Sequence, residues 1–359
     1  MQGALPRFLN TKTGRSFALG SLMMLPVACA RNPRPIETAA PIAPKADAAI
    51  SVRDLTPQFD SFWRSAKAED DAARVRRFKA EVVPIFPEYY AYRFGLWAHA
   101  GKNVDTELAA QLRAFESLEP QYARLELPVR QMLQTSIVEF RRAFPDFHPS
   151  AELGLLYTLG EMDGGARFLG HHAYLLFGLD GIAKYHSAAD QKPFFSHELF
   201  HVYQDDVLGH DRTKEDSLDN ETKALPEPLY ARLWGEGLAT YVSEWLNPGA
   251  SKAAMLLEVP KELVPEAEKN LPYLASDLLS KLDSHKVDDD HAYFSLGSAQ
   301  TDPRRPHRAG YYVGYLVAKK LHARIEMPSL VRLDGAPLRR EIAAVLTEIA
   351  VSGSRPSSG

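Results

Sequence analysis

Ser196-His197-Glu198-Leu199-Phe200-His201-Val202-Tyr203 carries two histidines four residues apart, with a glutamate between them, inside a stretch of helical apolar spacing. Residues four apart share a helix face, so both imidazoles can converge on one cation while Glu198 stands beside them without being a ligand. Neutral imidazole suits a borderline cation such as Zn²⁺, which in catalytic sites takes three protein groups and leaves a fourth position to water. A random chain of this composition would contain the pattern roughly 0.03 times, so a second feature is needed. It lies downstream, in Trp234-Gly235-Glu236-Gly237-Leu238-Ala239-Thr240-Tyr241-Val242-Ser243, where an acid sits among small residues in an otherwise apolar helical stretch. A carboxylate there is costly unless it is paired or bound to metal. Gly235 and Gly237 would let another backbone, here the His-bearing helix, approach closely. Glu236 is therefore the expected third ligand. The alternatives are Glu244 and Glu227, the latter held by Pro226 and Pro228 at a helix start.

Outward from these segments, residues 194–208, 229–246, 262–282, 310–323 and 339–351 all carry helical apolar periodicity. Upstream, residues 152–159 (ELGLLYTL) and 166–177 (ARFLGHHAYLLF), set between Gly-Gly and Gly-Leu-Asp-Gly, read as two strands of a small antiparallel sheet. Residues 55–147 read mainly as helices separated at Pro84, Pro87, Pro120, Pro128 and Pro145. The expected fold class is α+β and predominantly α-helical. One domain is expected over 51–350, with a helical part (51–150) packed over the strands and metal-binding helices of 151–350.

The whole chain sets limits on this reading. Its 359 residues, 45% hydrophobic and 25% charged, have the composition of a globular protein with material for a substantial core. Net charge is −4, and no Lys/Arg block interleaved with aromatics tracks a phosphate backbone, so nucleic acid is not an expected partner. Residues 1–30 bear Arg7, Lys12 and Arg15 without an acid, then the apolar run 17–27, then Ala28-Cys29-Ala30, the layout of a secretory signal peptide. Its removal takes the formal charge from −4 to −7. The run is shorter than the roughly 20 residues that span a bilayer. Two readings of Cys29, the only cysteine, stand side by side: cleavage after Ala30, or a lipoprotein box, Leu25-Pro26-Val27-Ala28-Cys29, with Cys29 lipidated as a membrane tether. Residues 31–50, rich in Pro and Ala, read as a linker, and 351–359 as a disordered tail. The location expected is exported, periplasmic or membrane-anchored.

Three other features carry less weight. His171 and His172, adjacent on a strand, would point to opposite faces. Asp288-Asp289-Asp290-His291 lacks calcium-loop spacing and reads as a solvated acidic turn. Asp205-Asp206 end the metal helix, where one of them could orient a ligand histidine.

His197, Glu198, His201 and Glu236, with the phrase Glu-Gly-Leu-Ala-Thr-Tyr, resemble the gluzincin metallopeptidases, whose third ligand is a glutamate on a following helix. More closely, FDSFW, FPEYY, DGGARF, HELFHVYQ, WGEGLATYVS and AGYYVGY are similar to a bacterial family of predicted zinc-dependent proteases, itself a domain of unknown function, over roughly residues 55–325. The resemblance implies a minimal thermolysin-like core, one Zn²⁺, and a peptide or protein substrate paired with a sheet edge at 166–177. It also implies Glu198 as general base and an oxyanion donor from a downstream Tyr or His. Tyr311, in its Gly-Tyr-x-x-Gly pattern, is favoured over Tyr312, Tyr315 and His307, although aromatics at helical spacing commonly serve as core. Two other classes of function fit the same residues: an exported binding protein or chaperone that keeps zinc for structure, and a zinc hydrolase acting on bonds other than peptides.

Overall fold

Pro120 and Pro128, read above as breaks, lie inside a single 40-residue helix, Val104–Ala143. Each proline removes a backbone donor and crowds the carbonyl four residues back. The helix continues because an apolar stripe through Leu108, Leu112, Phe115, Tyr122, Leu125 and Val129 stays buried across both positions, while Pro120 faces solvent. Tertiary burial outweighs the two lost bonds here. Pro84 and Pro87 behave as expected, the first in a 3-10 turn and the second in the first turn of the next helix.

The computed structural model describes residues 50–186, 191–210, 227–296 and 302–352. The signal and lipidation readings of 1–30, with Cys29, and the linker before Ile50 lie outside the described residues. The chain from Ala49 onward forms one unit, and its elements follow in order. They are β1 (Val52–Asp54), α1 (Thr56–Ala66), α2 (Asp71–Glu81), α3 (Pro87–His99), α4 (Val104–Ala143), β2 (Glu152–Leu156), β3 (Gly164–Leu169), β4 (His172–Gly178), α5 (Leu179–Tyr185) and α6 (Gln191–Leu208). Next come α7 (Leu229–Leu246), α8 (Leu263–Lys269), α9 (Leu271–Lys281), α10 (Val287–Phe294), α11 (Ala309–His322), α12 (Met327–Val331) and α13 (Gly335–Ser352). Side-chain caps set two of the starts. The carboxylate of Asp70 accepts from the Ala73 amide at 2.8 Å to open α2, and Asn103 accepts from the Thr106 amide at 3.0 Å to open α4.

The fold is α+β and predominantly helical, but its sheet is mixed rather than antiparallel. In the order β1-β2-β4-β3, β1 runs parallel to β2 and β2 parallel to β4; only β3 and β4 are antiparallel. The segment 166–177 is not one strand but most of this hairpin. Gly170 and His171 both take left-handed φ (56° and 72°), the two-residue turn whose twist suits a tight hairpin. Gly170, His171 and His172, which break the apolar pattern between the two halves, mark that turn. β1 was unread because three residues make too short a pattern.

Three further corrections concern helix ends. Residues 262–282 divide at Asn270 into α8 and α9. Asp288, Asp289 and Asp290 form the first turn of α10, where the helix dipole favours acids, rather than a solvated turn. Val351 and Ser352, read as the start of the tail, belong to α13, and the tail reading of 353–359 lies outside the described residues. The helical front of the chain does pack on the site-bearing part: α4 lies against α5 and α6, and Phe140, Phe144 and Phe147 surround the Tyr203 ring. Among the described residues no helix is long and apolar enough to cross a membrane.

Candidate metal centre

His197 and His201 occupy successive turns of α6, a helix buried on most of its circumference between α4, the sheet and α7. Their Nε2 atoms lie 3.0 Å apart. Glu236 projects from α7 so that its Oε2 stands 3.3 Å from His197 Nε2 and 3.5 Å from His201 Nε2. Donors about 2.0–2.1 Å from one ion at tetrahedral angles are about 3.3 Å from one another, so these three atoms have the spacing of a shared coordination sphere. His197, His201 and Glu236 could thus hold a metal ion. Glu244 takes no part: its carboxylate accepts from the Tyr315 hydroxyl and from Lys319, at 2.8 and 2.9 Å. Glu227 lines the cavity but stands outside the convergent group.

The close backbone approach implied by the glycines around Glu236 occurs, but with a different helix. A Cβ on Gly237 would collide with the backbone of Gly314 in α11, and one on Gly314 would fall on the Leu233 carbonyl and 2.8 Å from Gly237 Cα. The helix that meets α7 backbone to backbone is therefore α11, not the His-bearing α6. Gly235 has nothing within 4 Å of its would-be Cβ and faces the cavity. On the opposite wall, β3 reaches α6 because Gly164 has no side chain: a Cβ there would be 2.7 Å from the Phe194 ring and 3.0 Å from Glu198 Cγ.

The charges of the site set one another. Burial lowers the His197 pKa, with the charge of His201 adding to it, so this imidazole is neutral. Burial also acts against His201, but Glu236, Glu198 and Asp205 outweigh it and raise its pKa. For Glu236, burial opposes ionisation, yet Arg232, His201 and the bonds from both histidines hold the carboxyl well below its usual range. Arg232, one turn earlier on α7, binds the other carboxylate oxygen, Oε1, at 2.9 Å, and Asp290 of α10 stands 3.5 Å behind Arg232. Glu198, beside the group, is pushed up to about 7, first by burial and then by the charges of Asp163 and Glu236, against His201 and Arg167. Asp163 is itself bonded to the buried His186 at 2.8 Å.

Of the downstream aromatics, Tyr311 is the one that reaches the site. Its ring lies 6.4 Å from the His197 ring, nearly parallel, and it lines the cavity. Burial, and after it the charge of Glu236, push its hydroxyl up to about 12, so it is protonated and can donate. Tyr312 and Tyr315 turn away to Glu268 and Glu244, and His307 meets the Ser295 carbonyl. His171 lies in the hairpin turn and His172 starts β4, both exposed and away from the centre. Asp206 accepts from the amide and hydroxyl of Ser150, while Asp205 lies 3.3 Å from His210 and its charge also acts on His201.

The cavity in front of these groups has a volume of about 690 Å³. Besides the metal-binding group it is lined by Gly164, Gly165, Ala166 and Arg167 of β3, the outer strand of the sheet. Arg232 and Arg308 were not singled out from the sequence; Asp163 entered only within the phrase DGGARF and Asp290 only within an acidic run, neither with a role at this site. A signal existed for Arg232, since an arginine four residues before a buried glutamate shares its helix face. No signal placed Arg308, Asp163 or Asp290 at the site, because they come from distant segments. Comparison with family models, with curated proteins and with solved structures finds no match for this chain.

Proposed function

We propose that this protein is an exported zinc-dependent peptidase in which His197, His201 and Glu236 hold the ion and Glu198 is the general base. The observation that carries the reading is the convergence of two imidazole nitrogens and one carboxylate oxygen at 3.0 to 3.5 Å, with a raised-pKa carboxyl beside them in a cavity. Two imidazoles and a carboxylate are one of the donor sets that catalytic zinc takes, and three protein donors leave a position for water. When bound, zinc supplies Lewis acidity toward a carbonyl oxygen and acidifies water.

The residues of the chain then divide the work. Glu198, poised near neutral, takes a proton from the attacking water and passes it to the leaving nitrogen. Tyr311, protonated and set against His197, donates to the carbonyl oxygen as charge develops there. An extended peptide backbone matches the outer edge of β3, whose residues 164–167 border the cavity, and this favours a peptide bond as the one attacked. Arg232 holds Glu236 Oε1 and so leaves Oε2 turned to the histidines.

The test is zinc content by mass spectrometry combined with hydrolysis of a denatured protein pool, for the native chain and Glu198→Gln. One zinc in both, with cleavage only by the native chain, is the expected result. Zinc without turnover in either would replace this reading with a metal-keeping binding protein. Absence of zinc would remove the site assignment. The mass of the mature protein tests export, distinguishing an N-terminus after Ala30 from a lipidated Cys29.

A further inference from the structure

Arg308 lines the same cavity and is 8% exposed. Its backbone takes a left-handed φ of 61°, rare for a residue with a side chain, just before the first residue of α11. Its guanidinium Nη1 donates to the carbonyl oxygens of Leu256 and Val259 at 3.1 and 3.3 Å, and its Cζ lies 4.1 Å from the centre of the Tyr311 ring. Among the described residues no carboxylate pairs with it. The contrast with Arg232 is direct: that arginine, on the other side of the metal-binding group, has Glu236 and Asp290.

A buried charge without a counter-charge is costly, and holding two carbonyls requires only a neutral donor. The charge stands one ring away from His197, so it adds positive potential to a centre suited to a cation. An anionic group entering the cavity would neutralise it. The planar guanidinium, fixed by two bonds and one ring face, is ready to meet a carboxylate without first losing side-chain entropy.

We propose that Arg308 selects substrates that carry a carboxylate near the bond to be cut, either the C-terminal carboxylate of a peptide or an acidic side chain. The inference rests on the peptidase reading for the rest of the ligand. Its own content is the preference for an anion and the assignment of that preference to Arg308.

The test uses the full zinc-loaded chain carrying Glu198→Gln, so that peptides bind without turnover, and calorimetric Kd values for three probes. These are acetyl-Ala-Leu-Ala-Ala with a free C-terminal carboxylate, the same peptide as its C-terminal amide, and the amide with Asp in the last position. A charge-assisted bond predicts that one or both carboxylate probes bind at least about tenfold tighter than the neutral amide, and which one does so identifies the source. In Arg308→Gln the ratio should collapse to within about twofold, while Arg308→Lys should recover part of it. Equal Kd values for all three probes in the Arg308 protein overturn the inference and leave the peptidase reading intact; because no Arg308 variant is needed, this arm does not depend on one folding. A preference that survives in a folded Arg308→Gln protein also overturns it. Failure of all three peptides to bind refutes the peptidase reading itself, and the inference with it.

Discussion

Around Phe59 the rings of Phe62, Phe115, Tyr122 and Tyr157 pack with centroids 6.0, 4.9, 6.1 and 3.8 Å away, and the charges that act on Tyr122 come from Asp60, Asp180 and Glu126 outside the ring cluster. Around Glu236, by contrast, His197, Arg232 and Tyr311 converge beneath a cavity, and Arg308 lies one ring further on. The buried polar or charged side chains from α1 to α4 are Thr56 and Ser136 alone among the described residues. From α5 onward they include Asp180, His186, His197, Gln204, Glu236 and Arg308. Apolar rings gain stability wherever they pack, whereas buried polar groups are tolerated only when partnered or used. The difference therefore separates an apolar part of the molecule from the part that, on the same continuous core, also holds the chemistry.

Four substitutions test that separation. Glu198→Gln should lower peptide hydrolysis by about 10²- to 10⁴-fold while leaving melting temperature and metal stoichiometry unchanged, measured on the same preparation. Loss of metal as well would mean that Glu198 belongs to the binding group. Phe59→Ala should cost about 3–5 kcal/mol in urea unfolding and leave the zinc Kd of the folded protein within about twofold. A large change in Kd would join the two regions that the comparison separates.

Gly314→Ala attacks the boundary of the chemical region, because its methyl group would fall on the Leu233 carbonyl of α7. Pushing α11 off α7 should destabilise by about 1–3 kcal/mol and weaken metal binding in proportion to the displacement of Glu236. Stability lost with metal affinity intact would show that α7 holds its position without α11. Gly235→Ala, two residues from Gly237, meets nothing. Replacing a helix-interior glycine in open space should stabilise by about 0.5–1 kcal/mol, read as a rise in the denaturation midpoint. A fall would mean that this face of α7 closes against something in solution.

Much of the site was readable because it depends on local periodicity. His197 and His201 share a face by the geometry of any α-helix, and Glu236 stood out as an acid in an apolar segment. The misreadings lie where long-range contacts decide. Pro120 and Pro128 carry the signal of a helix end, and only the burial of Leu112, Phe115, Tyr122 and Leu125 on one continuous face overrides it. The hairpin turn at Gly170 and His171 interrupts a run that is apolar on both sides and reads as one strand, and the parallel partners of β2 come from residues 52–54 and 172–178. Parallel pairing leaves no turn signal between the paired strands, since the connection is remote.

The amino-acid sequence by itself determined the helical character of the chain, the spacing that lets His197 and His201 meet one ion, and the identity of Glu236 as a carboxylate that needs a partner. These follow from helix geometry and from the cost of burying charge, both of which act over a few residues. Only the tertiary structure decided that α11 rather than α6 packs backbone to backbone on α7, that Tyr311 and not Tyr312 or Tyr315 faces His197, and that among the described residues Arg232 is paired with carboxylates while Arg308 is not. These depend on which distant segments come together, and that is set by the packing of the whole core.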